Sequence, residues 1–285
     1  YSTTPTVEMA VVFESAAAGI VLTASHNPKQ WNALKFLNHK GEFISKSDGE
    51  ELLSYIESGK LEYESVDKLG HYSTKEGTIS AHIDAILALD TVDFDLVRSK
   101  KMKVVVDCIN STGAISIPPL LDALGVDYVL LNDEITGDFA HNPEPLPANL
   151  VDLCEAVVSE KADFGIAVDP DVDRLALVSD DGTLFGEEYT LVAVADYLLS
   201  KKAGNTVSNL SSTRALSDIT MKYGGDYFAS AVGEVNVVEM MKAKNAVIGG
   251  EGNGGIIYPG LHYGRDALVG IAFILSLLAE RSMSL

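Results

Sequence analysis

The chain has 285 residues, of which 47% are hydrophobic and 22% charged, a globular composition that excludes disordered and fibrous classes and suggests two or three domains. Its formal net charge of −20 argues against nucleic acid and anionic membrane surfaces as partners. The same charge repels phosphorylated ligands, so a phosphate site here would need local compensation by a metal, Lys, Arg or backbone N–H groups.

Strands and helices alternate along the chain, which predicts an α/β fold with largely parallel sheets. The first domain is predicted to cover residues 1–95. It ends in the polar segment 91–95, which we interpret as a linker. Its predicted elements are two strands and two helices, over residues 19–24, 34–37, 48–57 and 79–89.

A second domain, residues 96–184, and a third, residues 185–285, repeat the order strand, loop, helix. The second is predicted to contain strands over 102–106, 127–131, 164–168 and 175–178, with helices over 120–124 and 150–158. The third is predicted to contain strands over 206–210, 227–229 and 246–248, with helices over 187–199, 215–222 and 237–242. The sequence therefore predicts three consecutive similar α/β domains with mixed, largely parallel sheets flanked by helices. The apolar stretch 267–279 is too short to span a membrane and predicts a packed helix.

The first candidate site follows the strand 19–24, in the segment Thr23-Ala24-Ser25-His26-Asn27-Pro28. Loops at the carboxyl ends of strands bind ligands in open α/β sheets. Ser25 needs activation to act as a nucleophile, and His26 is poorly placed to supply it because neighbouring side chains on an extended strand point to opposite faces. The G-x-S-x-G elbow of hydrolases is absent. A polar turn ended by Asn-Pro remains the alternative.

The second candidate site is an acidic loop, Asp169-Pro170-Asp171-Val172-Asp173-Arg174, directly after the strand 164–168. Three carboxylates at alternate positions repel one another, and oxygen ligands favour a hard ion such as Mg²⁺ or Ca²⁺. A calcium EF-hand is disfavoured, since it needs glycine at position 174 and flanking helices. A solvated acidic turn is the other alternative. The guanidinium of Arg174 can donate two parallel hydrogen bonds to one phosphate group.

The third candidate site contains five glycines in seven residues, from Gly249 to Gly255, a composition that permits close approach of a ligand to the backbone. It is not a P-loop, because Lys-Ser/Thr is missing. A flexible surface loop is the alternative. Further on, Arg265 is expected either to bind phosphate or to form a surface ion pair, and Asp266 is a candidate N-cap for the last helix. His39, His71 and His82 are expected to be structural.

Taken in order, T-A-S-H-N-P at residues 23–28, D-x-D-x-D-R at 169–174 and G-E-G-N at 250–253 resemble the α-D-phosphohexomutase family (phosphoglucomutase/phosphomannomutase, or the related phosphoglucosamine mutase). The resemblance implies a Mg²⁺-dependent enzyme that interconverts hexose 1-phosphate and hexose 6-phosphate through a phosphoserine and a bisphosphate intermediate. A metal-dependent phosphatase and an inactive sugar-phosphate-binding module are the alternatives outside this class.

The resemblance also implies roles for single residues. Ser25 would carry the phosphoryl group, and Lys35 would act as general acid/base, although Ala33 replaces the glycine of the family's N-G-x-K segment. A lysine can shuttle a proton if its pKa is depressed. Asn253 stands where the family has serine. The candidate catalytic residues are Ser25, His26, Lys35 and Arg174. The candidate ligands of Mg²⁺ are Ser25, Asp169, Asp171 and Asp173. The candidate substrate-binding residues are Thr23, Asn27, Glu251, Asn253 and Arg265.

Two further expectations concern the whole protein. Cys108 and Cys154 lie in apolar segments, which suits the reducing cytoplasm better than a disulfide framework. The chain opens on Tyr1 rather than Met, and the family's N-terminal R-x-G-T segment and phosphate-binding fourth domain are not recognised in it. We therefore expect a fragment that binds Mg²⁺ but turns over poorly by itself.

Overall fold

A computed structural model describes residues 1–27 and 30–285; Pro28, the end of the predicted serine loop, lies outside the described residues. The α-helices of the described part are Thr4–Phe13 (α1), Lys46–Glu57 (α2), Thr78–Leu87 (α3), Phe94–Lys100 (α4), Gly113–Leu124 (α5), Val151–Glu160 (α6), Glu187–Lys201 (α7), Ala215–Lys222 (α8), Glu234–Lys244 (α9) and Ala267–Arg281 (α10). Its strands are Gly19–Thr23 (β1), Ala33–Leu37 (β2), Lys103–Asp107 (β3), Asp127–Leu131 (β4), Phe164–Val168 (β5), Leu175–Ser179 (β6), Asn205–Asn209 (β7), Tyr227–Ser230 (β8), Ala246–Glu251 (β9) and Gly255–Ile257 (β10).

The second and third sheets have the same strand order. One runs β4-β3-β5-β6 and the other β8-β7-β9-β10. In each sheet the first two pairings are parallel and the last is antiparallel. The α/β class, with mixed and largely parallel sheets, is therefore confirmed, and the last two units repeat one another. In the described residues of the first unit, β1 and β2 form a two-stranded antiparallel sheet.

The three candidate loops occupy equivalent places in these sheets. The serine loop joins β1 to β2, the acidic loop joins β5 to β6, and the glycine-rich loop joins β9 to β10. Each pair of strands is antiparallel, so each loop turns the chain back on itself at one end of its sheet. One architectural position therefore carries all three motifs.

Helix α10 is the centre of the largest core cluster. Every residue from 267 to 279 is buried, which confirms the packed helix expected there. The helix begins after Asp266, whose carboxylate accepts hydrogen bonds from the N–H groups of Leu268 and Val269, so the predicted N-cap is confirmed. No helix of the described residues is long and apolar enough to cross a bilayer.

Helix α5 begins at Gly113 instead of residue 120, and two further helices, α4 and α1, were not predicted. The linker predicted over residues 91–95 is wrong in its last two positions, because α4 begins at Phe94 and the side chain of Asp93 caps it at Leu96 N. Helix α1 was not predicted. Thr3 caps it by accepting from Thr6 N, and Pro5 lies in its first turn, where the missing N–H costs nothing.

Candidate active site

Asp171, in the acidic loop, contacts the two-stranded sheet β1-β2, which carries the serine loop and is called the serine-loop sheet below. Its Oδ2 accepts hydrogen bonds from Lys35 Nζ at 2.6 Å and from Thr4 Oγ1 at 3.0 Å, and its Oδ1 accepts from Thr23 Oγ1. The backbone N–H of Thr4 also donates to the Asp171 carbonyl at 3.0 Å. Two strands and a helix from the start of the chain are thus anchored on one residue of the acidic loop.

Ser25 and Asp171 line the same cleft, which has a volume of about 350 Å³. Its wall also includes Thr23, Ser111 and Thr112. The hydroxyls of Ser111 and Thr112 donate to the carbonyl of Pro170 at 3.2 and 2.7 Å, which fixes the acidic loop from behind. The serine loop and the acidic loop, 144 positions apart in sequence when Ser25 and Asp169 are compared, therefore share one cleft.

Ser25 lies in a turn rather than on an extended strand. Its φ of 52° is in the left-handed region, and its N–H donates to Thr23 Oγ1 at 2.8 Å. In this turn Ser25 Oγ lies 3.2 Å from His26 Nδ1. The prediction that the two neighbouring side chains point apart is wrong, because it assumed strand geometry for a loop that turns.

The role of His26 follows from its other neighbour. Arg174 Nη2 lies 3.4 Å from His26 Nε2, and a guanidinium can only donate. Burial lowers the pKa of His26, and the charge of Arg174 lowers it further, so the ring is neutral at pH 7. A neutral ring that accepts at Nε2 carries its proton on Nδ1. His26 is thus a hydrogen-bond donor to Ser25 Oγ and not a base poised to deprotonate it.

The three aspartates of the acidic loop are almost fully buried. Asp169 Oδ2 and Asp173 Oδ1 have no hydrogen-bond partner among the described residues. Burial raises the pKa of Asp169 well above its usual value, and the neighbouring charge of Asp173 raises it further. A buried carboxylate oxygen without a hydrogen-bond partner costs folding free energy. Such oxygens are favoured ligands of a hard divalent cation. The donor set therefore fits Mg²⁺.

Lys35 supplies positive charge to this loop. Its Nζ lies 2.6 Å from Asp171 Oδ2 and 3.6 Å from Asp173 Oδ2. Burial by itself would lower the pKa of Lys35, but the charges of Asp173 and Asp171 outweigh burial and raise the pKa above its ordinary value. The depressed pKa that we associated with a proton shuttle is absent in this arrangement, and Lys35 is an ammonium ion.

Arg265 joins the acidic loop to the glycine-rich loop. Its Nη2 donates to Asp173 Oδ2 at 2.7 Å, its Nη1 to Glu251 Oε2 at 3.0 Å, and its Nε to Glu234 Oε2 at 2.9 Å. The side chain is buried, so the expected surface ion pair is wrong. Its guanidinium is engaged by three carboxylates, and Glu251 also accepts from Asn209 Nδ2 at 2.7 Å. Direct binding of substrate by Arg265 and Glu251 remains a prediction.

The glycine-rich loop packs against the end of the acidic loop. The carbonyl of Gly254 accepts from Leu175 N at 3.1 Å. Gly254 has a φ of 83°, and a Cβ there would lie 2.3 Å from the Leu175 carbonyl oxygen, so this position requires glycine. Asn253 Oδ1 accepts from Gly255 N at 3.3 Å.

Asn27, in the serine loop, is exposed, and its Nδ2 donates to the Ala24 carbonyl at 3.1 Å.

Three residues near the site are not among the candidate site residues predicted from the sequence. Thr4 donates to Asp171, Glu144 Oε1 lies 3.5 Å from Arg174 Nη1, and Glu234 receives both the N–H and the Nε of Arg265. Gly233-Glu234-Val235-Asn236 weakly resembles a substrate-binding segment of the family, which was the one available signal for Glu234. The other two contacts have no local signal, because their partners lie far away in sequence.

Three family models match the chain, each described as phosphoglucomutase/phosphomannomutase, alpha/beta/alpha domain. Domain I matches residues 1–62, domain II residues 80–182 and domain III residues 186–285. The chain is 34% identical over 284 residues to a probable phosphoglucosamine mutase of Methanopyrus kandleri, covering 99% of this chain and 62% of that protein. It is 33% identical over 282 residues to a phosphoglucomutase/phosphomannomutase of Thermococcus kodakarensis, covering 97% and 60%.

Two solved structures of related proteins are similar to the structure of this chain. The crystal structure of a putative phosphomannomutase from Thermus thermophilus has a TM-score of 0.89 and 26% identity, and the match covers 99% of this chain and 64% of that one. A phosphoglucomutase/phosphomannomutase family protein from Burkholderia thailandensis has a TM-score of 0.84 at 26% identity, over 98% and 61% of the two chains. The chain thus spans about three fifths of the length of the relatives it matches, namely 62% and 60% of the two proteins named above.

Proposed function

This chain belongs to the α-D-phosphohexomutase family, and we propose that it transfers a phosphoryl group between Ser25 and a hexose phosphate. The observation that carries the proposal is the shared cleft of Ser25 and Asp171, which adjoins the buried acidic loop. The names of the relatives support a sugar phosphate as the substrate, with glucose, mannose or glucosamine as the sugar. The substrate pair that we propose is hexose 1-phosphate and hexose 6-phosphate. The three loops would come from three domains, residues 1–95, 96–184 and 185–285, of a cytoplasmic protein.

In the proposed reaction, Ser25 carries the phosphoryl group between turnovers. The bond from phosphorus to Ser25 Oγ breaks while a hydroxyl oxygen of the sugar phosphate forms the new bond, which gives a hexose bisphosphate. The proton of the attacking hydroxyl ends on Ser25 Oγ, so that the protons balance. We propose that Lys35 carries this proton, which requires that its pairing with Asp171 and Asp173, which keeps it an ammonium ion, be broken during the reaction. The bisphosphate then turns around, and its other phosphoryl group returns to Ser25.

Asp169, Asp171 and Asp173 are the residues that would hold Mg²⁺, with an oxygen of phosphorylated Ser25 as a further ligand. When bound there, Mg²⁺ would offset the negative charge that develops on the transferred group. The neutral ring of His26 donates to Ser25 Oγ, and Arg174 carries a guanidinium suited to a phosphate oxygen. Glu251 and Asn253 would hold ring hydroxyls, which keeps the sugar in line for transfer.

Lys35 and Mg²⁺ would compete for the same carboxylates, which gives a testable prediction. We expect Lys35→Met to raise the affinity for Mg²⁺ by about tenfold, because it removes a positive charge 2.6 Å from Asp171 Oδ2. We expect the same variant to lower turnover, because the proposed proton carrier is lost. Titration calorimetry with Mg²⁺ measures the first effect, and Lys40→Met, on an exposed turn, is the matched control. An unchanged or weaker Mg²⁺ affinity would contradict the proposal that Lys35 and Mg²⁺ compete for the same carboxylates.

The activity is tested by giving the native full-length protein labelled glucose 1-phosphate, mannose 1-phosphate and glucosamine 1-phosphate in turn, with Mg²⁺ and a trace of hexose bisphosphate. Formation of the 6-phosphate of any one sugar supports the proposal and identifies the substrate. Release of free sugar and inorganic phosphate would replace it with a phosphatase. Binding without conversion would replace it with a sugar-phosphate-binding protein.

A further inference from the structure

A second cluster of ligand-type side chains lies in the interior, apart from the acidic loop. We call His82, His262 and Asp266 the histidine cluster. His82 and Asp266 are fully buried, and the side chain of His262 is 7% exposed. Asp266 Oδ2 lies 2.9 Å from His82 Nε2 and 3.3 Å from His262 Nε2, and the three atoms lie within 4.8 Å of one another. Three ligand atoms therefore converge on one small volume.

Each member of the histidine cluster is oriented by a second contact. Asp266 Oδ1 accepts from Leu268 N at 2.8 Å, which leaves Oδ2 to face the histidines. His82 Nδ1 lies 3.0 Å from Thr6 Oγ1. His262 Nδ1 lies 3.0 Å from Glu8 Oε2. Histidines that bind metals characteristically place their other ring nitrogen against a carboxylate or another hydrogen-bonding group, which fixes the ring.

Glu8 is unusual because it is a buried carboxylate whose contact with His262 is incomplete. Glu8 Oε2 and His262 Nδ1 are 3.0 Å apart, at ion-pair distance, and neither atom has a hydrogen-bond partner with complete geometry among the described residues. Gly264 makes room for Glu8, since a Cβ there would lie 1.6 Å from Glu8 Oε2. The chain thus accommodates a carboxylate behind the ring of His262 without giving it a complete hydrogen bond.

We propose that the histidine cluster binds a divalent transition metal ion, zinc by the chemistry of its ligands, at a site distinct from the Mg²⁺ loop. Two imidazole nitrogens and one carboxylate oxygen are borderline ligands that suit Zn²⁺ better than Mg²⁺. Ligands about 2.0–2.1 Å from a tetrahedral ion lie roughly 3.3–3.4 Å from one another. Two of the three separations, 2.9 and 3.3 Å from Asp266 Oδ2 to the histidine nitrogens, lie within a few tenths of an ångström of that value, and the two histidine nitrogens lie within 4.8 Å of each other.

The charges also balance in this arrangement. With both imidazoles neutral and both Asp266 and Glu8 ionised, the four side chains would sum to −2, which one divalent ion would cancel inside a buried site. The ion would join α3, which carries His82, to the segment leading into α10, and Thr6 and Glu8 would tie α1 to the same point. Arg265 precedes Asp266 directly and reaches Asp173, so the metal would hold the base of the candidate active site. Its role is structural, and it does not depend on the proposed function.

Metal analysis of the tag-free full-length protein tests this proposal without an activity assay. After growth with zinc and dialysis against metal-free buffer, mass spectrometry of the elements should find about one Zn²⁺ per chain. His82→Gln should lose this zinc, because glutamine keeps a polar group of similar length but is a poor zinc ligand. His141→Gln, which removes a histidine paired with Asp107 elsewhere, and Asp171→Asn, in the Mg²⁺ loop, should both retain it.

Two measurements keep the test decisive if a variant fails to fold. Unsubstituted protein stripped with a chelator should melt at a lower temperature, recover on adding zinc, and show the visible spectrum of tetrahedral Co²⁺ when cobalt replaces zinc. Absence of zinc from the purified protein, together with no binding by the stripped protein, would overturn the proposal and leave the cluster as a hydrogen-bonded network. Equal zinc content in wild type and folded His82→Gln would overturn it too.

Discussion

Replacing Ser25 with alanine is expected to abolish mutase turnover, with kcat falling on the order of 10⁴-fold or more. In the proposed reaction the hydroxyl oxygen accepts and returns the phosphoryl group, and a methyl group cannot do so. The fold should be spared, because Ser25 is half-buried and its Oγ contacts only the ring of His26 among the described residues. A coupled assay for the 6-phosphate measures the loss, and thermal unfolding checks the fold.

The matched control for this experiment is Ser2→Ala. Ser2 lines the same cleft as Ser25 and has a serine hydroxyl, but the proposal gives it no chemical role. Intact-mass analysis after incubation with hexose bisphosphate should find one added phosphoryl group on the wild type and on Ser2→Ala, and none on Ser25→Ala. Retention of turnover by Ser25→Ala would exclude the phosphoserine route, even if the family membership stands.

Replacing Asp171 with asparagine is expected to weaken Mg²⁺ binding by roughly tenfold to a hundredfold. The change removes one hard anionic ligand from the proposed metal loop. It also removes the charge that Lys35 pairs with at 2.6 Å, and it disturbs the hydrogen bonds from Thr4 and Thr23. Part of the loss in activity will therefore come from poorer docking of the serine-loop sheet, which is why Mg²⁺ affinity is the sharper measurement.

Asp180→Asn provides the control for that measurement. Asp180 is an exposed aspartate just after β6, the strand that leaves the acidic loop, and its replacement removes the same charge from the same unit. Titration calorimetry should give Asp180→Asn the Mg²⁺ affinity of the wild type. If Asp171→Asn binds Mg²⁺ as tightly as the wild type, the acidic loop is not the metal site. The buried oxygens of Asp169 and Asp173 that lack hydrogen-bond partners would then need another explanation.

The local parts of this fold were predictable from the sequence. β-branched and apolar runs bounded by turn residues located nearly all of the strands, and β4, β5 and α8 were predicted to the residue. Helix α1 escaped because it is buried on several sides, so its sequence lacks the alternation of apolar and polar faces that reveals a surface helix. The sequence features that indicate α1 are the N-cap residue Thr3 and Pro5 in the first turn. An argument from hydrophobic periodicity takes neither of them into account.

Pairings through space were not predictable in the same way. Whether Arg265 lies on the surface or in the core depends on Asp173, which is 92 positions away, and on Glu234 and Glu251, which are 31 and 14 away. His82 was expected to be structural because nothing near it in sequence marks its contact with Asp266, 184 positions away. His26 shows the converse error, since strand geometry was applied to a residue whose neighbour has left-handed backbone angles.

The anchoring of the serine-loop sheet on Asp171 has a consequence for the order of folding. Lys35 and Thr4 find that partner 136 and 167 residues further along the chain. Contacts that close such long loops form late, because the chain between them must first lose entropy. During synthesis from the N-terminus, the Ser25 loop therefore leaves the ribosome well before Asp171 exists, and we expect the cleft shared by Ser25 and Asp171 to be completed late in folding.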